Sequence, residues 1–143
     1  MMMKTTERLL TQLMAMEGCR LTAYRDAAGV LTIGYGHTKD VREGDRISEF
    51  WAKELLKRDI AYFESKVLDL QVARTEGQLD ALVSLAFNIG IGALKRSTLL
   101  RVIREGGSRS AIKREFRRWV YAGGRRLRGL ELRREWESKL FFE

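Results

Sequence analysis

A chain of 143 residues has the length of one ordinary domain, and it hides roughly 68–70% of the surface that its unfolded form exposes, enough for a core without metal or disulfide staples. With 45% apolar and 32% charged residues, the composition is that of a soluble globular protein and excludes a disordered one. The formal net charge is +8, which points to an anionic partner (nucleic acid, a membrane surface or an acidic polymer) without choosing among them. Proline is absent, where an average usage of about 5% would give roughly seven. The single Cys19 excludes an internal disulfide, and with a single His37 no zinc cage of His and Cys is expected, so neither a metal nor a cofactor is foreseen. No run of about 18 apolar residues is present to span a bilayer. The start, Met1-Met2-Met3-Lys4-Thr5-Thr6-Glu7, lacks the apolar stretch of about 7–15 residues that marks a secretory signal, so folding in a reducing cytoplasm is expected.

In chain order, Thr5 is placed to cap a first helix over 5–18, with Leu9, Leu10, Leu13 and Met14 on one apolar stripe. Between 21 and 37, Leu21, Tyr24, Val30, Thr32, Ile33 and Tyr35 are strand formers around an Asp26-Ala27-Ala28-Gly29 turn, the only β region the pattern supports. Ser48 caps a long helix carrying Trp51, Leu55, Leu56, Ile60, Phe63 and Val67 at helical spacing. Thr75 and Gln78 form a capping box before Leu79, Leu82, Val83, Ala86 and Phe87, and Gly90-Ile91-Gly92 breaks that helix. Short amphipathic helices are expected at about 97–105, 109–122 and 130–141, divided by Gly106-Gly107 and Gly123-Gly124. The expected architecture is α+β and mainly helical: one two-lobed domain over 1–143, with a small β-hairpin lobe at about 18–45, a larger helical lobe over 48–143, and the first helix joining them. A cleft between such lobes is a natural place for an extended ligand.

Charge divides unevenly along this plan. Residues 1–94 hold 12 basic and 13 acidic side chains, for −1, and residues 95–143 hold 15 basic and 6 acidic, for +9.

Glu17 is anomalous, because helical geometry sets it on or beside the apolar stripe, four residues after Leu13. Burial and the negative end of the helix dipole both disfavour its charged form, which is what a general acid needs. Asp26 opens the turn nine residues later, and Thr32 follows on the returning strand. Each also has a plain structural use: a helix-end glutamate fans into water or pairs with an arginine, a turn aspartate caps its own backbone, and threonine favours strands. Together, two carboxylates and a hydroxyl around one hairpin are the equipment of glycoside hydrolysis, an acid for the leaving oxygen and a base or water-holder opposite.

The run Glu17-Gly18-Cys19-Arg20-Leu21-Thr22-Ala23-Tyr24-Arg25-Asp26 through Thr32-Ile33-Gly34-Tyr35-Gly36-His37-Thr38 strongly resembles the phage-type lysozymes, glycoside hydrolase family 24. The family's spacing of Glu, eight residues, Asp, five residues, Thr is reproduced. The resemblance resumes at Gln78-Leu79-Asp80-Ala81-Leu82, Phe87-Asn88-Ile89-Gly90, Ser97-Thr98-Leu99-Leu100, Trp119 to Gly124 and Gly129 to Arg134, and so covers nearly the whole chain. It implies an endolysin that hydrolyses the β-1,4 bond between N-acetylmuramic acid and N-acetylglucosamine in peptidoglycan. Glu17 would be the general acid, and Asp26 with Thr32 would hold the attacking water on the other face. Inversion follows, which requires the two carboxyls to stand about 6.5–9.5 Å apart.

By the same resemblance, Thr38, Phe87 and Ser97 match cleft-lining positions, although the spacing of Phe87 also suits the core. His37 resembles a structural residue tied to a nearby acid, and Arg133 or Arg134 resembles the partner of Glu17. Asn88 is structural or cleft-lining, and Cys19 is expected as a buried thiol. The chain departs from the family by carrying Ala27, Ala73 and Arg128 where members commonly carry proline.

The 95–143 region, with Lys113-Arg114, Arg117-Arg118 and Arg125-Arg126 interleaved by aromatics, first reads as a nucleic-acid binder. Because Ile112, Phe116, Trp119 and Val120 share one face, electrostatic contact with an anionic bacterial envelope is the reading adopted, and no nucleic acid is expected. The competing readings are a lytic transglycosylase acting on the same bond and a non-enzymatic basic module that binds membrane or nucleic acid. A zinc amidase would need more His and Cys than the chain has. The resemblance further implies a monomer made in the host bacterial cytoplasm without a signal peptide and released to the wall through a holin, for host cell lysis.

Overall fold

The structure is a computed structural model describing residues 3–143; Met1 and Met2, which open the N-terminal reading above, lie outside the described residues. The chain divides into two compact units: a hairpin unit, Glu7–Tyr62, and a helical unit made of the N-terminal residues up to Thr6 together with Phe63–Glu143.

The hairpin unit opens with α1 (Glu7–Glu17), whose Leu9, Leu10 and Leu13 are buried as the apolar stripe requires. The helix starts later than expected, because Thr5 does not cap it. The Thr5 N–H and hydroxyl both donate to Glu64 Oε1, at 2.6 and 3.0 Å. The Thr6 N–H and hydroxyl donate to the two carboxylate oxygens of Asp80, at 2.9 and 2.5 Å. Two threonines therefore fasten the start of the chain to its helical unit.

After α1, β1 (Arg20–Arg25) pairs antiparallel with β2 (Leu31–Gly34), with Tyr24 opposite Thr32 and Arg25 opposite Leu31; the register shifts between Arg20 and Tyr24. The segment 45–47 runs beside β1, where Ile47 N–H donates to the Leu21 carbonyl and Ala23 N–H to the Asp45 carbonyl, both at 2.9 Å. Ser48 then caps α2 (Glu49–Asp69), its Oγ accepting from the Trp51 N–H at 3.0 Å.

In the helical unit, α3 (Glu76–Ile89) is buried along most of its length: Leu79, Ala81, Leu82, Val83, Leu85 and Ala86 are all inaccessible. A helix apolar on nearly every side can only be a central one. Its N-terminus uses the expected pair in a shifted form. Thr75 Oγ1 accepts from the Gln78 N–H at 3.1 Å, but Gln78 Oε1 accepts from the Arg74 N–H at 2.9 Å, one residue before the cap. The chain continues through α4 (Ile91–Arg96), α5 (Thr98–Arg104), α6 (Arg109–Phe116) and α7 (Arg128–Phe141). Helix α7 lies against α3 so closely that a Cβ built on Gly77 would stand 2.5 Å from the Leu140 carbonyl oxygen.

Three expectations need correction here. Gly90 ends α3, but Ile91 restarts a helix at once, so the Gly-Ile-Gly run is a joint between two helices. Helix α6 ends at Phe116 instead of reaching 122. In the freed segment stands a second hairpin, β3 (Tyr121–Ala122) with β4 (Arg125–Arg126), so 21–37 is not the only β region. Gly123 and Gly124 both have positive φ, +58° and +76°, the backbone of the type I′ turn that closes a two-residue hairpin loop. Altogether the fold is mainly helical α+β with small antiparallel hairpins.

Candidate active site

The first hairpin positions two of the three residues singled out for chemistry. Asp26 occupies the first position of its turn, where its carbonyl accepts from the Gly29 N–H at 2.9 Å. Its side-chain Oδ1 accepts from the N–H groups of Ala28 and Val30, both at 2.9 Å, so the bland and the chemical uses of this residue coexist. Among the described residues Oδ2 carries no hydrogen bond, which leaves one oxygen for chemistry. Thr32 is 3% exposed on β2, and its hydroxyl donates to the Val30 carbonyl at 2.8 Å. One residue, Val30, thus holds both groups, Asp26 through its N–H and Thr32 through its carbonyl. With its proton committed, the Thr32 oxygen faces any further partner as an acceptor.

Glu17 is the last residue of α1 and is half-buried. It belongs to the same unit as Asp26 and Thr32. Cys19 is exposed, not buried as expected, because it lies in the link between α1 and β1, where Gly18 and Arg20 on either side are exposed too.

His37 closes the Gly-Tyr-Gly segment by exchanging two backbone hydrogen bonds with Ile33, each 2.9 Å. Its Nε2 lies 2.9 Å from the Lys39 carbonyl, which can only accept, so Nε2 carries a hydrogen. Its Nδ1 lies 2.8 Å from Asp59 Oδ2, and a contact that short needs a proton between the two. Burial pushes the Asp59 carboxyl above its ordinary range, against the opposing pull of His37. Both ring nitrogens are therefore committed to holding the hairpin against α2.

The remaining residues lie in the helical unit. Phe87 is half-buried and packs at a tilt on Phe63, their ring centroids 5.7 Å apart. Ser97 is spent on local structure: its hydroxyl donates to the Leu94 carbonyl at 2.7 Å and accepts from the Leu100 N–H at 3.1 Å, capping α5. Thr38, in the hairpin unit, is exposed.

Arg133 and Arg134 converge on Glu137, which is fully buried. Glu137 Oε2 accepts from the Ser84 hydroxyl at 2.6 Å and from Arg133 Nε and Arg134 Nη2, each at 3.3 Å. Arg134 Nε stands 2.8 Å from Oε1 but off the hydrogen-bond line, an ionic contact and not a hydrogen bond. Arg133 also donates to the Ser84 carbonyl at 3.0 Å, and Arg134 to Asn88 Oδ1 at 2.8 Å and to the Trp119 carbonyl at 3.2 Å. Burial raises the Glu137 carboxyl and lowers the Arg134 guanidinium, and their mutual attraction opposes both shifts.

A model of the Phage lysozyme family matches residues 14–137. The chain belongs to the phage lysozyme family. Among its relatives is an endolysin of Acyrthosiphon pisum secondary endosymbiont phage 1, 40% identical over 97% of this chain and 98% of that protein. A SAR-endolysin of bacteriophage PS119 is 40% identical over 85% of this chain and 74% of its own length. Among solved structures, the muramidase domain of SpmX from Asticaccaulis excentricus is 33% identical and covers 99% of each chain, with a TM-score of 0.88. The family fold is therefore this chain's fold.

Sequence reasoning passed over Asp59, Glu137, Ser84 and the linking role of the Val30 backbone. For Glu137 the signal was present: it lies three and four residues before the buried Leu140 and Phe141, the same carboxylate-on-an-apolar-stripe pattern that drew attention to Glu17. Val30 gave none, because its contribution is entirely backbone.

Proposed function

We propose that this peptidoglycan-degrading lysozyme cuts the β-1,4 bond between N-acetylmuramic acid and N-acetylglucosamine with inversion, and that its two units act as one lysozyme domain. The observation that carries the reading is the Asp26–Val30–Thr32 link, nine residues beyond Glu17. Glu17 gives its proton to the leaving glycosidic oxygen as the bond to the anomeric carbon breaks. A water on the opposite face gives one hydrogen to the free Oδ2 of Asp26 and points the other at the Thr32 oxygen, which can only accept. That orientation aims a water lone pair at the anomeric carbon, and the new C–O bond forms as Asp26 takes the proton. Solvent then takes the proton from Asp26 and returns one to Glu17, which restores both groups.

Thr38 and Phe87 are proposed as sugar contacts, with Ser97 contributing through the α5 cap. His37, Arg133 and Arg134 support the structure. The protein acts as a monomer at the cell wall, which it reaches from the host cytoplasm through a holin, and residues 95–143 favour contact with the anionic envelope.

Mass spectrometry of peptidoglycan digested by the pure protein tests bond and mechanism together. Hydrolysis leaves reducing muramic ends with one added water; anhydro-muramic ends would assign a lytic transglycosylase instead. Because a general acid contributes about 10²–10⁴-fold, Glu17→Gln is expected to abolish lysis of wall preparations while the protein stays folded by circular dichroism. A folded Glu17→Gln protein with full activity would overturn the mechanism.

A further inference from the structure

Helices α4 and α5 border an open concavity of about 400 Å³ whose charged lining has no place in the hydrolytic mechanism. Four cations border it, Lys95, Arg96, Arg101 and Arg104, against the single acid Glu105. That leaves three surplus positive charges on one small hollow. The acid neutralises little: Arg101 Nη1 and Glu105 Oε1 stand 3.9 Å apart, with both side chains mostly in water. Arg104 is braced by donating to the Leu70 carbonyl at 3.1 Å. Arg96 folds back over Gly92, where a Cβ would stand 3.2 Å from its Nη1, so the missing side chain makes room for the guanidinium. The hydroxyl of Ser97 is already committed to its helix cap, and the hollow therefore offers mainly positive charge.

We propose that this hollow binds phosphate, and that it anchors the protein to a phosphate-bearing polymer of the bacterial envelope. Like charges gathered around one cavity repel each other, and an anion that several donors share relieves that repulsion. Each phosphodiester of such a polymer holds two charged oxygens on a tetrahedral centre, which arginine forks take in pairs and lysine meets as a point charge. A polymer with a phosphate on each unit places a second charge within reach of the cations at the rim. The envelope as source rests on the lysozyme reading, whereas the site itself does not.

The test titrates the full-length protein calorimetrically with an oligomer of glycerol phosphate, with inorganic phosphate and with an oligoglutamate of equal charge. The glycerol phosphate oligomer is expected to bind most tightly. The double variant Lys95→Gln/Arg101→Gln should weaken that binding by about tenfold or more, about 1.4 kcal/mol. Arg114→Gln/Arg125→Gln removes the same charge from exposed positions elsewhere and should change it by less than about twofold. In the unsubstituted protein, amide resonances of residues 95–105 should shift first on titration, a readout that needs no variant to fold. Equal losses in both double variants would reduce the site to general electrostatics and overturn it. Equally tight oligoglutamate binding would overturn phosphate, and equally tight inorganic phosphate would overturn the polymer. Binding is read without turnover, so its outcome is separate from that of the hydrolase reading.

Discussion

Glu137 and Glu17 show the same sequence pattern put to opposite uses. Both are carboxylates on the apolar side of a helix, but Glu137 is sealed from water and surrounded by Ser84, Arg133 and Arg134. Removing its charge leaves two guanidinium groups uncompensated in the core, and breaking such a buried pair costs about 3–5 kcal/mol. Glu137→Gln is therefore expected to lower the unfolding free energy in guanidinium titrations by that amount; a loss below 1 kcal/mol would show the charges are hydrated. Asp59 makes a prediction about pH. Its folded carboxyl is raised above its ordinary value of 3.8, so the native state keeps this proton to higher pH than the unfolded chain does. Its contribution to stability is then fully present below 3.8 and is lost as pH rises through the folded value. The stability difference between the natural protein and Asp59→Asn, measured between about pH 3 and about pH 8, should fall with rising pH and then level. A difference that grows over this range would mean that the attraction of His37 outweighs burial. At this scale the sequence exposed Asp26 and Thr32 through their spacing, but the peptide that joins them was invisible, since any residue at position 30 supplies the same N–H and carbonyl.

At the scale of elements, legibility followed the caps. Ser48 and Thr75 announced their helices because a side-chain oxygen at a helix start has a local partner, the N–H two or three residues on. The second hairpin was lost because each of its strands has two residues, too few to show alternation, and Gly123-Gly124 reads equally well as a helix break. The helix-start signal also fits one position where the family commonly carries proline and this chain does not. Arg128 is the first residue of α7, and Leu127 before it is extended, at φ −113° and ψ 130°, a place and a neighbour that proline suits. Ala27 is the second residue of its turn, again a position proline favours. The contact between α3 and α7 gives the sharpest test. Because Gly77 faces backbone and not a flexible side chain, Gly77→Ala must push the two helices apart, at about 1–3 kcal/mol. Gly129→Ala, where a Cβ meets nothing within 4 Å, should cost nothing or stabilise slightly. Equal denaturation midpoints for the two variants would show that α7 yields freely.

Across the whole molecule the charge of +8 resolves into a nearly neutral first part and a strongly basic last third, although much of that third is internally paired. Arg117 with Glu135, Arg118 with Glu115 and Arg126 with Glu131 pair at the surface, and Arg133 and Arg134 turn inward on Glu137. The surplus cations that remain are the basis of the proposed attraction to an anionic wall. Lysis of wall preparations should slow between about 0.01 M and 0.15 M salt, as the Debye length shortens from about 30 Å to about 8 Å, with turnover of short soluble glycans unchanged. Equal salt sensitivity of both substrates would place the effect in the chemistry. Composition supplied the charge, but not the division of the chain, because the bonds from Thr5 to Glu64 and from Thr6 to Asp80 join residues far apart in sequence. Those two threonines have a consequence for synthesis. They leave the ribosome among the first residues of the chain, yet their partners follow only after the entire hairpin unit has been made. The hairpin unit is thus made complete between two pieces of the helical unit, and Thr5 and Thr6 wait for all of it before their partners exist.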